Sequence, residues 1–194
     1  MEKILVIAGP SAVGKTTVMN EILKTNPEFE YIRSATTRAP RGDSFDSEYI
    51  YLSEVEFSER IANGGMLEYT EYGGNFYGTP KSEIERIFSI GKTPLLILDL
   101  NGVQSLKSSS YEFGVFAVYI TGDRKLIEER LFERMKAAGS TPNANEIYEK
   151  RKAQNIADAN RYNAMSCFFD LTIENREVKE CAKRIVSVFN SLAK

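Results

Sequence analysis

The residues best suited to chemistry lie at positions 9–16, where the sequence GPSAVGKT has the spacing G-x-x-x-x-G-K-[ST] of a phosphate-binding loop. An apolar run at residues 4–8 precedes it and a helix-like stretch follows, which is the context that the motif requires. Backbone N–H groups and the helix N-terminus attract phosphate, Lys15 can reach the outer phosphates, and the Thr16 hydroxyl can bind Mg²⁺. A chance match in an ordinary turn is the alternative, which the flanking elements disfavour.

A second cluster of polar side chains follows at residues 33–41, with the sequence RSATTRAPR. Its arginines can bind phosphate through two parallel hydrogen bonds, and its hydroxyl groups can add further ones. Alone, such a cluster is typical of a solvated surface loop. Because it follows a phosphate-binding loop, it predicts a second phosphate site.

The absence of histidine from the sequence narrows the chemistry. It excludes a Ser-His-Asp triad, a Cys-His pair and any metal site with histidine ligands. Phosphoryl transfer to a phosphate fits, because the second pKa of a phosphate is about 6 and the acceptor needs no imidazole base. The two cysteines, Cys167 and Cys181, have no metal or redox spacing and are expected to be reduced thiols.

The bulk composition predicts one globular core. The chain has 194 residues, of which 42% are hydrophobic and 27% charged, and its net charge is −2. This balance favours neither a nucleic-acid nor a membrane partner. No signal peptide or membrane-length apolar run is recognisable, so we expect a cytoplasmic protein, as a monomer or a homodimer.

Apolar runs alternate with helical patterns along most of the chain. Strands are predicted at residues 3–8, 31–34, 93–100, 115–120 and 171–174. Helices are predicted at residues 15–24, 101–108, 124–138, 145–160 and 178–193, with Asp123 as the N-cap of the third. The alternation predicts an α/β fold with a doubly wound, parallel, five-stranded core sheet.

Residues 35–90 have a different pattern, which predicts a small α+β insertion. Short antiparallel strands are expected at residues 49–52, 66–72 and 75–77. Ser53 and Glu56 form a capping-box signature that begins one helix, and another is expected at residues 80–89. The core then comprises residues 1–34 and 91–194. A polar break at residues 136–146 is either a plain loop between helices or a mobile lid.

The order of these and several further motifs is informative. They comprise the loop at 9–16, S-x-T-T-R-x-P-R at 34–41, Glu68, G-N-x-Y-G-T at 74–79, L-D-x-x-G-V at 98–103, Arg130, Arg134 and Arg151. This series resembles the guanylate kinases, enzymes that phosphorylate GMP with ATP. The resemblance covers essentially the whole chain, and its T-T-R-x-P-R and G-N-x-Y-G segments are the most specific.

The resemblance implies a Mg²⁺-dependent transfer from ATP to GMP, and dGMP is also expected to react because no residue obviously reads a 2′-hydroxyl. GMP is assigned to Ser34, Arg38, Arg41, Tyr49, Glu68, Tyr77, Thr79 and Asp99. ATP is assigned to Gly9, Pro10, Ser11, Ala12, Val13, Gly14, Lys15, Thr16, Thr17, Arg130 and Arg134. Catalysis is assigned to Lys15, Arg38, Arg134 and Arg151, and Mg²⁺ to Thr16 and Asp99, partly through water.

The chemistry of guanine supports two of these roles. Guanine presents its N1–H and N2–H₂ donors on one edge, so a carboxylate such as Glu68 can accept both, and the Thr79 hydroxyl can donate to O6. Adenine lacks that pair of donors and would leave a buried carboxylate unpaired. A site built on such hydrogen bonds can discriminate by roughly 10⁴–10⁵.

Three departures from the family pattern leave details open. Ala12 stands where glycine is usual, which is tolerable if its φ angle is negative. The stretch at residues 42–48 is about one residue short, so Tyr51 rivals Tyr49 as a phosphate contact. Ile97 stands where many members carry an acidic residue, which removes a second acid near Asp99.

Two other functions compete with this prediction. The first is another small phosphotransferase on the same scaffold, such as a sugar-phosphate kinase or a different nucleotide kinase, which Glu68 and Thr79 argue against. The second is a non-catalytic, guanylate-kinase-like binding module of the scaffold-protein type. Such modules typically lose parts of the phosphate loop, whereas the Gly-Lys-Thr end of this loop is complete.

Overall fold

Two sheets organise the protein, whose computed structural model describes residues 2–40, 49–72, 74–137 and 144–192. In chain order, the elements are β1 (Lys3–Ala8), α1 (Lys15–Thr25), β2 (Phe29–Tyr31), β3 (Ser34–Thr36), β4 (Tyr49–Tyr51), α2 (Glu54–Ala62), β5 (Met66–Tyr72), β6 (Asn75–Pro80), α3 (Lys81–Ser89), β7 (Thr93–Ile97), α4 (Leu100–Ser108), β8 (Gly114–Thr121), α5 (Arg124–Ala137), α6 (Ala144–Met165), a short 3-10 helix (Ser166–Phe168), β9 (Leu171–Glu174) and α7 (Val178–Ser191).

The larger sheet has five parallel strands in the order β2-β7-β1-β8-β9. Its central strand β1 is apolar and buried from both sides, as a strand between two helical layers must be. Helices α1, α5 and α7 cover one face, while α3, α4 and the end of α6 cover the other. The prediction of a doubly wound parallel sheet is therefore confirmed.

Strands β1 and β9 have the predicted bounds, but the strand predicted at residues 31–34 is wrong. There are two strands instead, because Tyr31 pairs with Leu95 in the larger sheet whereas Ser34 pairs with Tyr49 in the smaller one. Residues 32–33 carry the chain from one sheet to the other. This short crossover places β3 beside the edge of the core.

The end of one strand and the end of one helix also differ from expectation. Strand β7 ends at Ile97 rather than at residue 100, because Asp99 accepts a hydrogen bond from the N–H of Gly102 at 2.7 Å and caps α4. Helix α6 continues to Met165, five residues beyond its predicted end, where that methionine is buried in the core. Asp123 caps α5 as predicted, accepting from the N–H of Leu126 at 3.0 Å.

The smaller sheet has the strand order β4-β3-β6-β5. The hairpin of β5 and β6 is antiparallel as predicted, but β4 pairs with β3 in parallel, so the antiparallel expectation for residues 49–52 is wrong. The predicted capping box is present at the start of α2, where Ser53 and Glu56 bond reciprocally. Helix α2 closes this sheet through Phe57, which is fully buried.

Helix α3 links the smaller sheet to the core through a network of ion pairs. Glu83 is 4% exposed and accepts from Arg33 at 2.8 and 3.0 Å and from Arg86 at 3.1 and 3.2 Å. Arg86 also donates to Glu30 at 2.7 Å. Arg33, one of the three arginines of the cluster at residues 33–41, is thus paired with Glu83.

The division of the chain into core and insertion stays a prediction. Ser34 already belongs to the smaller sheet, while α3 packs on β7. Of the predicted lid at 136–146, residues 138–143 lie outside the described part of the chain, as do the shortened stretch at 42–48 and Arg41. Within the described residues, no helix combines the length and the apolar character needed to cross a membrane.

Candidate active site

The phosphate-binding loop joins β1 to α1, as its motif predicts. Gly9 and Gly14 have φ angles of 147° and 102°, which favour glycine. A Cβ atom at Gly9 would lie 2.4 Å from the carbonyl oxygen of Ile120, so this position also needs glycine for space. Both glycines of the motif are therefore required by the geometry of the loop.

Ala12 departs from the expectation for this loop. Its φ angle is +67°, and it is the one non-glycine residue in the described part of the chain with a positive φ. A methyl group was expected to be tolerated here if φ were negative, and that condition is not met. A side chain in this region costs roughly 1–2 kcal/mol, which the burial of the Ala12 methyl in the core partly offsets.

Lys15 bends back over the loop. Its Nζ donates to the carbonyl oxygens of Gly9 at 2.7 Å and Pro10 at 2.8 Å. Burial lowers the pKa of Lys15 to about 8, against the raising effect of Asp158, while the positive charges of Arg134 and Arg151 lower it further. The loop thus holds a lysine whose charge is costly until an anion arrives.

A cavity of about 570 Å³ opens between the smaller sheet and the end of β7. Five of the residues assigned to GMP line it, namely Ser34, Tyr49, Glu68, Tyr77 and Asp99. They come from β3, β4, β5, β6 and the N-cap of α4, so residues far apart in sequence meet at one opening. Other residues of β5 and of the first turn of α4 also line the cavity.

Glu68, which is half-buried and lines this cavity, forms a hydrogen-bonded pair with the buried Thr79. The Thr79 hydroxyl is on a residue that is 2% exposed, and it donates to Oε1 of Glu68 at 2.7 Å. Burial raises the pKa of Glu68, the Thr79 hydrogen bond lowers it and the charge of Asp99 raises it again, with a net rise. The carboxylate therefore gains from any ligand that offers further donors.

Arg38, which lies outside the lining of the cavity, packs against the tyrosines of β4, Tyr49 and Tyr51. The guanidinium carbon of Arg38 lies 5.3 Å from the centre of the Tyr49 ring and 5.9 Å from that of Tyr51. Tyr49 lines the cavity and contacts the ring of Tyr77, whereas the Tyr51 hydroxyl accepts from Arg38 at 3.4 Å. This arrangement favours Tyr49 as the ligand contact and Tyr51 as a support for Arg38.

A second cavity, of about 290 Å³, lies over the phosphate-binding loop. Its lining includes Gly9, Ser11, Lys15, Tyr119, Arg151, Asn155 and Asp158. Residues 97–99 line both cavities, so the end of β7 is a shared wall. Asp99 consequently lies between a site suited to a phosphate chain and a site suited to a polar base with its phosphate.

The structure does not bring every assigned residue into these cavities. Arg130 is exposed on α5 and lies outside the lining of both. Arg134 acts on Lys15 only through its charge. Sequence reasoning missed Asn155 and Asp158, although both follow Arg151 at the i+4 and i+7 spacing of one helix face, which is the signal that was available.

Magnesium fits the donor set at the shared wall. Thr16 presents its exposed hydroxyl at the first turn of α1, and Asp99 uses Oδ1 for its cap, which leaves Oδ2 for water or metal. Oxygen donors suit Mg²⁺, which keeps most of its waters and binds mainly to phosphates. Among the described residues, no group of three or more His, Cys, Asp or Glu is placed to hold a metal, so the nucleotide would supply most ligands.

Comparisons with known proteins agree with this geometry. A family model described as guanylate kinase matches residues 1–192. A guanylate kinase of Streptococcus thermophilus is 36% identical over 190 residues, spanning 97% of this chain and 86% of the relative. One of Streptomyces coelicolor is 34% identical over 190 residues, spanning 97% and 90%. A crystal structure of guanylate kinase from Anaplasma phagocytophilum has a TM-score of 0.68 and 25% identity, covering 98% of this chain and 85% of that one. This chain belongs to the guanylate kinase family.

Proposed function

We propose that this protein is a guanylate kinase, which transfers the γ-phosphoryl group of ATP to GMP and yields ADP and GDP. One observation carries the substrate assignment: Glu68, hydrogen-bonded to the buried Thr79, lines a cavity that shares the end of β7 with the cavity over the phosphate-binding loop. The carboxylate accepts from N1–H and N2–H₂ of guanine. The same cavity accommodates dGMP, because no described residue is committed to a 2′-hydroxyl.

The acceptor phosphate lies at the other end of this cavity. Ser34, Tyr49 and Tyr77 supply hydroxyl groups there, and Arg38 supplies the positive charge. Arg41, which lies outside the described residues, is proposed to add a second guanidinium. These groups hold one phosphate oxygen in line with the γ-phosphorus, which is the main requirement of phosphoryl transfer.

The donor side is built from residues 9–17, with Arg130 and Arg134 assigned to ATP. Lys15 leaves the carbonyl groups of Gly9 and Pro10 and contacts the outer phosphates of ATP. An oxygen of the GMP phosphate then attacks the γ-phosphorus, and the bond to the departing ADP breaks. Arg134 and Arg151 balance the negative charge that spreads over the transferring oxygens.

Magnesium is proposed to be held by the Thr16 hydroxyl and, through water, by Asp99. When bound, it would neutralise part of the charge of the donor phosphates. The polar break at 136–146 is proposed to act as a lid. Cytoplasmic location, a monomeric or dimeric state, and the absence of nucleic-acid and membrane partners complete the proposal.

A coupled assay of ADP release tests this function. The purified protein is given ATP and Mg²⁺ with GMP, dGMP, AMP, UMP or a ribose phosphate. We expect turnover with GMP and dGMP, and rates at least 10³-fold lower with the others, because a buried carboxylate without its donors is costly. Faster turnover of a sugar phosphate would support a different phosphotransferase. ADP release at background with every acceptor would support a non-catalytic binding module.

A further inference from the structure

Asn155 joins helix α6 to the phosphate-binding loop. Its Oδ1 accepts from the backbone N–H of Ser11 at 2.7 Å, and its Nδ2 donates to the carbonyl oxygen of Ser11 at 3.1 Å. One side-chain amide therefore satisfies both backbone groups of a single residue, as a neighbouring strand would. The two residues are 144 positions apart, so the contact ties distant parts of the chain.

The position of Asn155 on α6 gives this contact its consequence. Arg151 lies four residues before it and Asp158 three residues after it, so all three share one face of the helix. The same three residues line the cavity over the loop, and both charged ones act on Lys15. Any rotation of α6 about its axis would move these two charges relative to the phosphates.

The other contacts of α6 define which part of the helix Asn155 has to position. Near its start, Tyr148 packs against the core and contacts the ring of Phe132 at 6.0 Å, while its C-terminus is fixed in the core by Met165 and by the stacking of Tyr162 on Tyr119 at 4.0 Å. Arg151 lies three to four turns from that anchor. Those contacts hold α6 to the core and to α5, whereas Asn155, about one turn from Arg151, bonds the helix to the phosphate-binding loop itself.

We propose that Asn155 is a positioning residue, which fixes the register of α6 against the phosphate-binding loop and thereby places Arg151 at the donor phosphates. This inference rests on the proposed function for its kinetic consequence. Its structural content is narrower: the contribution of Arg151 depends on the amide of Asn155. A residue that merely stabilised the fold would leave that dependence absent.

A double-mutant cycle tests this dependence. Asn155→Ala is compared with Arg151→Ala and with the double variant, and kcat and KM are measured for ATP and GMP separately. We expect Asn155→Ala to lower kcat about 10- to 100-fold, the scale for misplacing a catalytic group, with KM for GMP within about 2-fold. In the Arg151→Ala background the same change should cost less than about 3-fold.

A matched control is Asn163→Ala, on an exposed position of the same helix, which should leave kcat and the melting temperature unchanged. Equal losses from Asn155→Ala in both backgrounds, or an unchanged kcat, would overturn the proposal. If the alanine variant unfolds, Asn155→Gln, which keeps the amide on a longer side chain, takes its place in the cycle.

The affinity for ATP, measured by calorimetry without GMP, separates this proposal from the assigned function. The same cycle on ATP affinity should show that Asn155→Ala weakens binding only when Arg151 is present. If the wild-type protein binds ATP with this coupling but does not phosphorylate GMP, the proposed function fails and the positioning role stands. If the protein phosphorylates GMP but shows no coupling between Asn155 and Arg151, the proposed function stands and the positioning role fails.

Discussion

The Thr79 hydroxyl donates a 2.7 Å hydrogen bond to Oε1 of Glu68 inside the acceptor cavity. This bond uses one lone pair of a half-buried carboxylate that lines the cavity. Burial raises the pKa of Glu68 and the threonine bond opposes that rise, so the bond favours the ionised form of the carboxyl group. Because a hydroxyl has a single proton, Thr79 cannot donate to O6 of guanine, as its assignment expected, while it keeps this bond.

Glu68→Gln should damage the use of GMP far more than the binding of ATP. Glutamine places an NH₂ group against the donors of guanine, so we expect kcat/KM for GMP to fall about 10²- to 10³-fold, while KM for ATP changes less than about 3-fold. Steady-state kinetics with each substrate varied in turn provides the measurement. Glu71→Gln, on an exposed position of the same strand, is the control and should be neutral. Equal losses for both nucleotides would contradict base readout.

Ala12→Gly should change stability little, unlike the same substitution elsewhere. Glycine relieves a φ angle of +67°, worth roughly 1–2 kcal/mol, but it loses a buried methyl and adds backbone entropy to the unfolded chain. We expect a net change below about 1 kcal/mol in urea unfolding. Ala117→Gly, in the buried strand β8, should instead cost about 1–2 kcal/mol. Similar losses at both positions would show that Ala12 is not strained.

The same loop shows what sequence can and cannot give. Its strand, turn and helix follow from local residue types, so Gly9 and Gly14 were predictable. The sign of φ at Ala12 was not, because it is imposed by the surrounding loop. The chain crosses between sheets after Tyr31, yet residues 31–34 read as one strand because pairing with Leu95 or Tyr49 leaves no local signal.

The candidate site, too, could be predicted from the sequence only in part. Motifs placed Ser34, Tyr49, Glu68, Tyr77 and Asp99 at one cavity, which the structure brings together. Asn155 escaped prediction because its partner Ser11 is 144 residues away and an asparagine inside a helix carries no motif. The ion pair of Arg33 was not predicted, because an arginine in a basic cluster looks the same in sequence whether it binds phosphate or Glu83.

Glu83→Gln should destabilise the protein in a pH-dependent way. Burial opposes ionisation of Glu83, but hydrogen bonds from Arg33 and Arg86 outweigh it and lower its pKa to about 2 from 4.5. A lowered pKa contributes stability that is present above pH 4.5 and is lost as the pH falls toward 2. At pH 7 we expect the variant to lose about 2–4 kcal/mol, less than the roughly 3–5 kcal/mol typical of a fully buried ion pair, because both arginines are partly exposed to solvent.

Urea unfolding at several pH values measures this effect, and the gap between wild type and variant should narrow below pH 4.5. Glu85→Gln, an exposed position on the same helix, is the control and should change stability by less than about 0.5 kcal/mol at every pH. A gap that stays constant down to pH 3 would mean that the charge of Glu83 is not what stabilises the network.

Binding of ATP should draw a proton from solution near pH 8. In the free protein, burial lowers the pKa of Lys15 to about 8, so at that pH about half of the molecules carry a neutral lysine. The triphosphate favours the charged form and raises the pKa, so binding takes up about half a proton at pH 8 and little at pH 6.5. Calorimetry in buffers of different ionisation enthalpy measures the uptake. Lys15→Arg keeps the charge at both pH values and should abolish the uptake, and an arginine variant that still takes up the proton would assign it to another group.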